Sequence, residues 1–230
     1  MNIYDVSMKI SDEMMVYKNR DEKRIKLTNT KNHSKDGIYE SRLDMDLHTG
    51  THIDAPLHIL ENGEKIENMM LSKLITKCKV LDFTYVKESI SKDELKTKNI
   101  VEGDFILLKT KNSLTDDFNK DFVYLDKVGA KYLAKLNIKG VGIDALGIER
   151  SQAGHETHKF LMNNDIYIIE GLRLEYINED EYVLIALPLK IENAEASPCR
   201  AVLMDGDIDK IKIKAKDSIE KLKNDSKCKC

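Results

Sequence analysis

An α/β domain with a mixed sheet is the fold class this sequence predicts, on three observations. Short apolar runs of strand length alternate along the chain with stretches of helical spacing. At 230 residues and 26.4 kDa the chain suits one sizeable domain that can bury its own core without disulfides. No linker rich in proline, glycine or serine divides it, and no internal repeat is visible.

In chain order, residues 2–8 read as a strand, followed by a polar stretch, 12–39, that suits a long loop or a short hairpin. Residues 43–48 read as the next strand: Leu43, Met45 and Leu47 share one parity, and Arg42, Asp44 and Asp46 share the other. A short helix is expected at 71–76 and an apolar strand at 78–83. A connection rich in lysine and acid leads to a strand at 104–110. Residues 126–136 predict a helix: Asp126 can cap its start, Val128, Tyr132, Leu133 and Leu136 recur at helical spacing, and Asn137 stops it. A buried strand at 140–144, a helix at 156–163 and strands at 166–170 and 182–189 complete the order. We place the domain at 1–208 and set the lysine-rich 209–230 apart as a charged C-terminal tail.

Charge and composition narrow the function classes. A net charge of -3 with both signs interspersed gives no electrostatic case for nucleic acid, and no nucleic-acid-binding signature appears. The first thirty residues lack the apolar core of a secretion signal, and no run approaches membrane-spanning length. The expected compartment is the cytoplasm and the expected partner a small molecule. The cysteines at 78, 199, 228 and 230 form no disulfide framework, and Cys228 and Cys230 read as incidental exposed thiols.

The stretch His48-Thr-Gly-Thr-His52-Ile-Asp54-Ala-Pro-Leu-His58 carries the chemistry. It places three imidazoles and a carboxylate at even positions, and an extended chain turns even-numbered side chains one way. Gly50, the two threonines and Pro56 all oppose a helix here. His48, His52 and Asp54 offer two nitrogens and one oxygen, a set that suits zinc or manganese and leaves positions open for water and substrate. A structural zinc site normally closes with four protein ligands, often cysteines, and none lies nearby. A catalytic ion is therefore expected. A bound divalent ion makes water acidic enough to attack near neutral pH, and His58 is left to move its proton.

A second cluster follows far along the chain. His155 stands at the start of the helix expected at 156–163, His158 one turn on, and Glu170 ends an apolar strand, so that both His158 and Glu170 can reach one pocket. An ionised Glu170 after Ile166, Tyr167, Ile168 and Ile169 needs a metal, a cation or hydrogen bonds if it is buried. Asp144 reads as the cap of the next turn, and Arg200 as either an acid-orienting group or an ion pair. No serine nucleophile elbow and no dinucleotide glycine spacing is present.

The motif from His48 to His58 resembles the His-x-Gly-Thr-His-x-Asp-x-Pro-x-His signature of the cyclase family, which includes bacterial kynurenine formamidases and isatin hydrolases. The likeness extends to His158 and, twelve residues on, Glu170, then to Leu187-Pro188-Leu189 and Ser197-Pro198-Cys199-Arg200. It implies a swivelling β/β/α architecture and a metal site of His48, His52 and Asp54 completed by His158 and Glu170, with one or two ions per subunit. It implies proton transfer by His58 and a homo-oligomer, a dimer, whose early loop can complete the neighbouring pocket. The activity it implies is metal-dependent hydrolysis of an amide C–N bond, foremost an aryl formamide such as N-formylkynurenine, an intermediate of tryptophan breakdown. The alternatives are a cyclic-amide hydrolase of the isatin type, or a catalytically silent member that binds a small molecule or metal. Where formamidases of the family carry a Pro-Gly-Asp turn, this chain has Tyr17-Lys18-Asn19-Arg20-Asp21, and it contains no tryptophan. The substrate-binding residues stay unassigned.

Overall fold

Strand parity decides which way the two cores of this protein face. The structure, a computed structural model, describes residues 2–206. Among them are the strands β1 (Ile3–Asp5), β2 (Lys26–Lys31), β3 (Glu40–Asp44), β4 (His52–Asp54), β5 (Ile75–Asp82), β6 (Ser89–Ile90), β7 (Phe105–Lys109), β8 (Tyr124–Leu125), β9 (Gly140–Ile143), β10 (Tyr167–Glu170), β11 (Asp180–Pro188) and β12 (Ala196–Met204). The helices are α1 (His33–Asp36), α2 (Lys92–Lys96), α3 (Lys127–Leu136) and α4 (Glu156–Met162).

The main sheet runs β1-β12-β11-β5-β7-β9-β10-β4, and β4 also pairs with the first part of β12. The pairings therefore return on themselves, and every strand of this sheet except β1 belongs to a closed ring. The β5–β7, β7–β9 and β9–β10 pairs are parallel and the others antiparallel, the mixed α/β arrangement expected.

On β7, Phe105 and Leu107 point into the ring, where they meet Ile53, Ile169, Leu184, Ala201 and Leu203. Ile106 and Leu108 point outward with Val141, Ile143 and Ile168, and are covered by Leu133 of α3 and Leu161 of α4. Both sides of these strands are thus apolar, as their unbroken hydrophobic runs require. Emptying one position, such as Leu107→Ala, would cost about 2–5 kcal/mol. The same parity sends Ile53 inward and turns His52 and Asp54 outward, toward the helix side.

Helix α3 matches its expected ends: Asp126 accepts from Gly129 N at 2.7 Å, and Asn137 closes the helix in the left-handed region. Other expectations are corrected. The strand expected at 43–48 stops at Asp44, because Asp46 holds a turn, accepting from His48 N at 2.9 Å at its side chain and from Thr49 N at 3.1 Å at its carbonyl. The helix expected at 71–76 is a single 3-10 turn, Leu71–Lys73, after which the chain joins the sheet as β5. Strand β12 was not expected at all. The polar early stretch is a hairpin, β2 with β3, whose strands lie almost wholly in solvent. The 208/209 boundary and the tail with Cys228 and Cys230 lie outside the described residues.

Candidate metal centre

Strand β4 lies between β10 and β12, and this pairing builds the centre. His52 sits opposite Glu170, and Asp54 opposite Ile168, so the outward faces of β4 and β10 bring two carboxylates and an imidazole together. Two glycines let the chain cross here. Gly171 has φ +69°, and a Cβ on it would lie 2.3 Å from the carbonyl oxygen of Gly50, so no other residue fits. That carbonyl stands 2.9 Å from His52 Nδ1. Only a protonated nitrogen can face a carbonyl oxygen, so His52 donates through Nδ1 and turns Nε2 inward.

Around that point the donor atoms converge. His52 Nε2 is 3.3 Å from Asp54 Oδ1 and 3.4 Å from Glu170 Oε2. His158 Nε2, on the first turn of α4, is 3.5 Å from both Asp54 Oδ2 and Glu170 Oε1. His48 Nδ1, delivered by the turn after β3, is 3.0 Å from Asp54 Oδ1. His52, Asp54, His158 and Glu170 are all buried. The structure thus brings together His48, His52, Asp54, His158 and Glu170. The even parity read from the sequence holds within β4 for His52 and Asp54, whereas His48 arrives by a turn.

These distances fit a shared cation. His52 Nε2, both oxygens of Asp54 and His158 Nε2 are buried with no hydrogen-bond partner among the described residues. A charge-assisted N–H···O contact would draw in to about 2.7–2.9 Å. Two donors each about 2.1 Å from one ion at a tetrahedral angle stand about 3.4 Å apart, which is the spacing seen. Two triplets of ligand atoms share Asp54, namely His52 with Glu170 and His48 with His58.

Electrostatics within the protein alone are equally one-sided. Burial opposes charge on His52, but Asp54 and Glu170 outweigh it and lift the imidazole to about 10. His158 rises well above 6.5 against the same burial penalty, through Asp54, Glu149 and Glu170. Burial and Asp54 push Glu170 upward, yet His158 and His52 bring it down to about 2. Burial would raise Asp54 too, but the three imidazoles around it hold it well below the usual carboxylate range.

His58 occupies the 3-10 turn Pro56–His58, its ring centroid 4.2 Å from that of His48 and 5.6 Å from that of His158. It is partly exposed and lines a pocket of about 490 Å³ that opens over the cluster. Burial lowers its pKa below 6.5, so the ring is neutral at pH 7 and able to accept a proton.

Sequence reading missed Glu149. Its Oε1 lies 3.2 Å from His158 Nδ1 and 2.5 Å from His155 Nδ1, and its Oε2 accepts from Thr157 N at 3.1 Å. It caps α4 from outside the helix and backs the ring of His158. The available signal was an acid directly after the short apolar run 145–148, the reasoning that singled out Glu170. Glu195, 3.4 Å from His48 Nε2, was missed as well. His155 adopts a left-handed conformation at the head of α4 and lines the pocket. Arg200 is an exposed partner of Asp5 at 2.5 Å, away from the pocket. Asp144 is buried under donors from Thr110, Asn112 and Ser113, a structural role.

Comparison with known proteins agrees with this geometry. Residues 4–150 match a family described as "Putative cyclase". The chain is similar to the kynurenine formamidase of Erythrobacter litoralis, 34% identical over 166 residues, covering 71% of this chain and 76% of that protein. It is 28% identical over 208 residues to the kynurenine formamidase of Salinibacter ruber, covering 89% and 98%. A solved protein from Bacillus stearothermophilus, described as a predicted metal-dependent hydrolase, superposes with a TM-score of 0.81 at 48% identity, over 88% of this chain and 97% of that one. Isatin hydrolase A from Labrenzia aggregata shares the fold at 21% identity, TM-score 0.76, over 88% and 93%.

Proposed function

The chain belongs to the cyclase family, and on that premise we propose that it hydrolyses the C–N bond of an aryl formamide such as N-formylkynurenine. It is a metal-dependent amidohydrolase. The observation that carries this reading is the set of buried, unpartnered atoms on His52, Asp54 and His158 facing one another beside the half-open His58.

In this reading His48, His52 and Asp54, with His158 and Glu170, hold zinc or manganese, and the central place of Asp54 suits one ion or two. A divalent ion held there would lower the pKa of water from about 15.7 toward about 7 and polarise a carbonyl. The protein's own groups do the rest. The Gly50 carbonyl locks the tautomer of His52, and the Ile148 N–H, 2.6 Å from Glu170 Oε1, fixes that carboxylate. His58, neutral at pH 7, takes the proton of the attacking water and returns it to the departing nitrogen. A formamide presents the smallest acyl group, which suits a centre sunk behind His48 and His58.

We further place the enzyme in the cytoplasm as a homodimer. Cys78 and Cys199 stand as separate free thiols, in keeping with a reducing compartment. The β2–β3 hairpin exposes Leu27 and, opposite it, Leu43, with Ile38 and Tyr39 exposed in the connection before β3, apolar surface that a second subunit would cover. Sedimentation of the full chain reads the oligomeric state directly.

The function is tested by supplying N-formylkynurenine, a simple aryl formamide and isatin to protein loaded with zinc or manganese, with a chelator control. Rapid, chelator-sensitive release of formate supports the proposal. Turnover of isatin alone selects the cyclic-amide reading, and binding without turnover defeats both.

A further inference from the structure

The mouth of the pocket carries charge of one sign. Its lining includes Lys18, Arg20 and Lys23, while the acids among the lining residues, Glu149 and Glu170, lie deeper and already face imidazoles and backbone N–H groups. The whole chain has a net charge of -3, so this local excess of cations does not follow from overall composition. Lys23 is satisfied by Asp46 at 2.6 Å. Arg20 is not held in this way: its contact with Glu22 is long, 3.8 Å, and exposed.

The segment bearing these cations is fixed in place. Val16 is buried, Tyr17 packs edge-on against Phe118 at 5.5 Å, and Thr49 Oγ1 donates to the carbonyl of Lys23 at 3.0 Å, one residue from His48. Between these anchors Lys18 and Asn19 both take left-handed conformations, φ 58° and 52°. Two successive non-glycine residues in that region are unfavourable, and surrounding contacts must hold them there. The turn they make is what carries Arg20 to the pocket.

We propose that Arg20, with Lys18 beside it, binds a carboxylate on the substrate, so that the preferred amide is an acid whose anionic chain lies away from the scissile bond. This rests on the amidohydrolase reading and adds the residue that selects among substrates. A guanidinium suits the task because its planar donors match a carboxylate in two parallel hydrogen bonds.

The test compares an N-formylaniline carrying a propanoate chain on its ring with the methyl ester of the same compound, in metal-loaded protein. Wild type should prefer the acid by about tenfold or more in kcat/KM, chiefly through KM, and added salt should shrink that preference. Arg20→Gln should bring the ratio to within about threefold of unity, and Arg20→Lys should restore part of it. A wild-type ratio near one, or a ratio unchanged in Arg20→Gln, overturns the proposal. If neither compound is hydrolysed, the amidohydrolase reading fails separately. Binding of the deformylated amino acid then decides by calorimetry: tighter binding to wild type than to Arg20→Gln supports the carboxylate site, and equal binding overturns it.

Discussion

Glu149 Oε1 lies 3.2 Å from Nδ1 of His158, while Nε2 of the same ring faces Asp54 and Glu170. A carboxylate behind an imidazole fixes the ring's orientation and raises its basicity toward an ion on the far side. Glu149→Ala should therefore weaken metal affinity by about 10–100-fold, although Glu149 faces the imidazole rather than the ion. Titration of chelator-stripped protein with zinc reads the constant. Unchanged affinity would show that α4 alone positions His158.

His58 and His52 should separate cleanly. His58→Ala should keep its metal and lose about a hundredfold or more in turnover, the scale of general acid–base catalysis. His52→Ala should lose metal first, because His52 is buried at the centre of the cluster. Metal analysis beside steady-state rates distinguishes them, and loss of metal from His58→Ala would make His58 a ligand instead.

Activity should fall on the acid side as His58 takes up a proton, with a midpoint below 6.5, since burial lowers its pKa and a nearby cation would lower it further. A pH profile of kcat/KM gives this limb. A limb above 6.5 would argue for another base.

Metal uptake at pH 7 should release protons, because His52, lifted to about 10 in the protein alone, must give one up to bind an ion. Calorimetry in buffers of different ionisation enthalpy counts them. The same shift sets the stability of chelated protein. His52 has a folded-state pKa above its ordinary 6.5, so its contribution is complete below 6.5 and lost as pH rises toward 10. Glu170, brought from 4.5 to about 2, contributes fully above 4.5 and loses that contribution as pH falls toward 2. Denaturant midpoints of chelated protein should peak between about 4.5 and 6.5. A midpoint still climbing at pH 9 would contradict this balance.

Gly171→Ala should act on stability and metal together. The added Cβ meets the Gly50 carbonyl, and the residue must also hold φ +69°. Strain of that kind costs on the order of 1–3 kcal/mol, and the displaced carbonyl would release His52 Nδ1. Unfolding curves and zinc titrations should both shift, and a shift in neither would show that the crossing tolerates a side chain.

What could be read in the sequence was what depends on neighbours along the chain. The ends of α3 were legible because Asp126 and Asn137 act within one turn of the helix they bound. The placement of Glu170 at a strand end and His158 on a first turn was legible for the same reason. His48 was placed on a strand because parity alone cannot see the turn held by Asp46. Strand β12 escaped because Pro198 argues against a strand, yet it pairs with β4 opposite His52, and its neighbour Cys199 donates to Thr51 O at 3.0 Å. The closure of β4 onto β12 joins residues about 140 positions apart, a pairing that local pattern does not encode. Glu149 escaped because its partners are a ring nine positions on and the N–H groups of a helix that has no cap of its own.

The central claim is that one divalent ion or a pair sits among the atoms converging on Asp54. Anomalous diffraction from crystals of the full chain grown with zinc, recorded on both sides of the zinc absorption edge, tests it most directly. The account predicts a peak within about 2.0–2.2 Å of His52 Nε2 and of the Asp54 carboxylate. Zinc-replete crystals with no peak there, or with zinc bound only elsewhere, would contradict it.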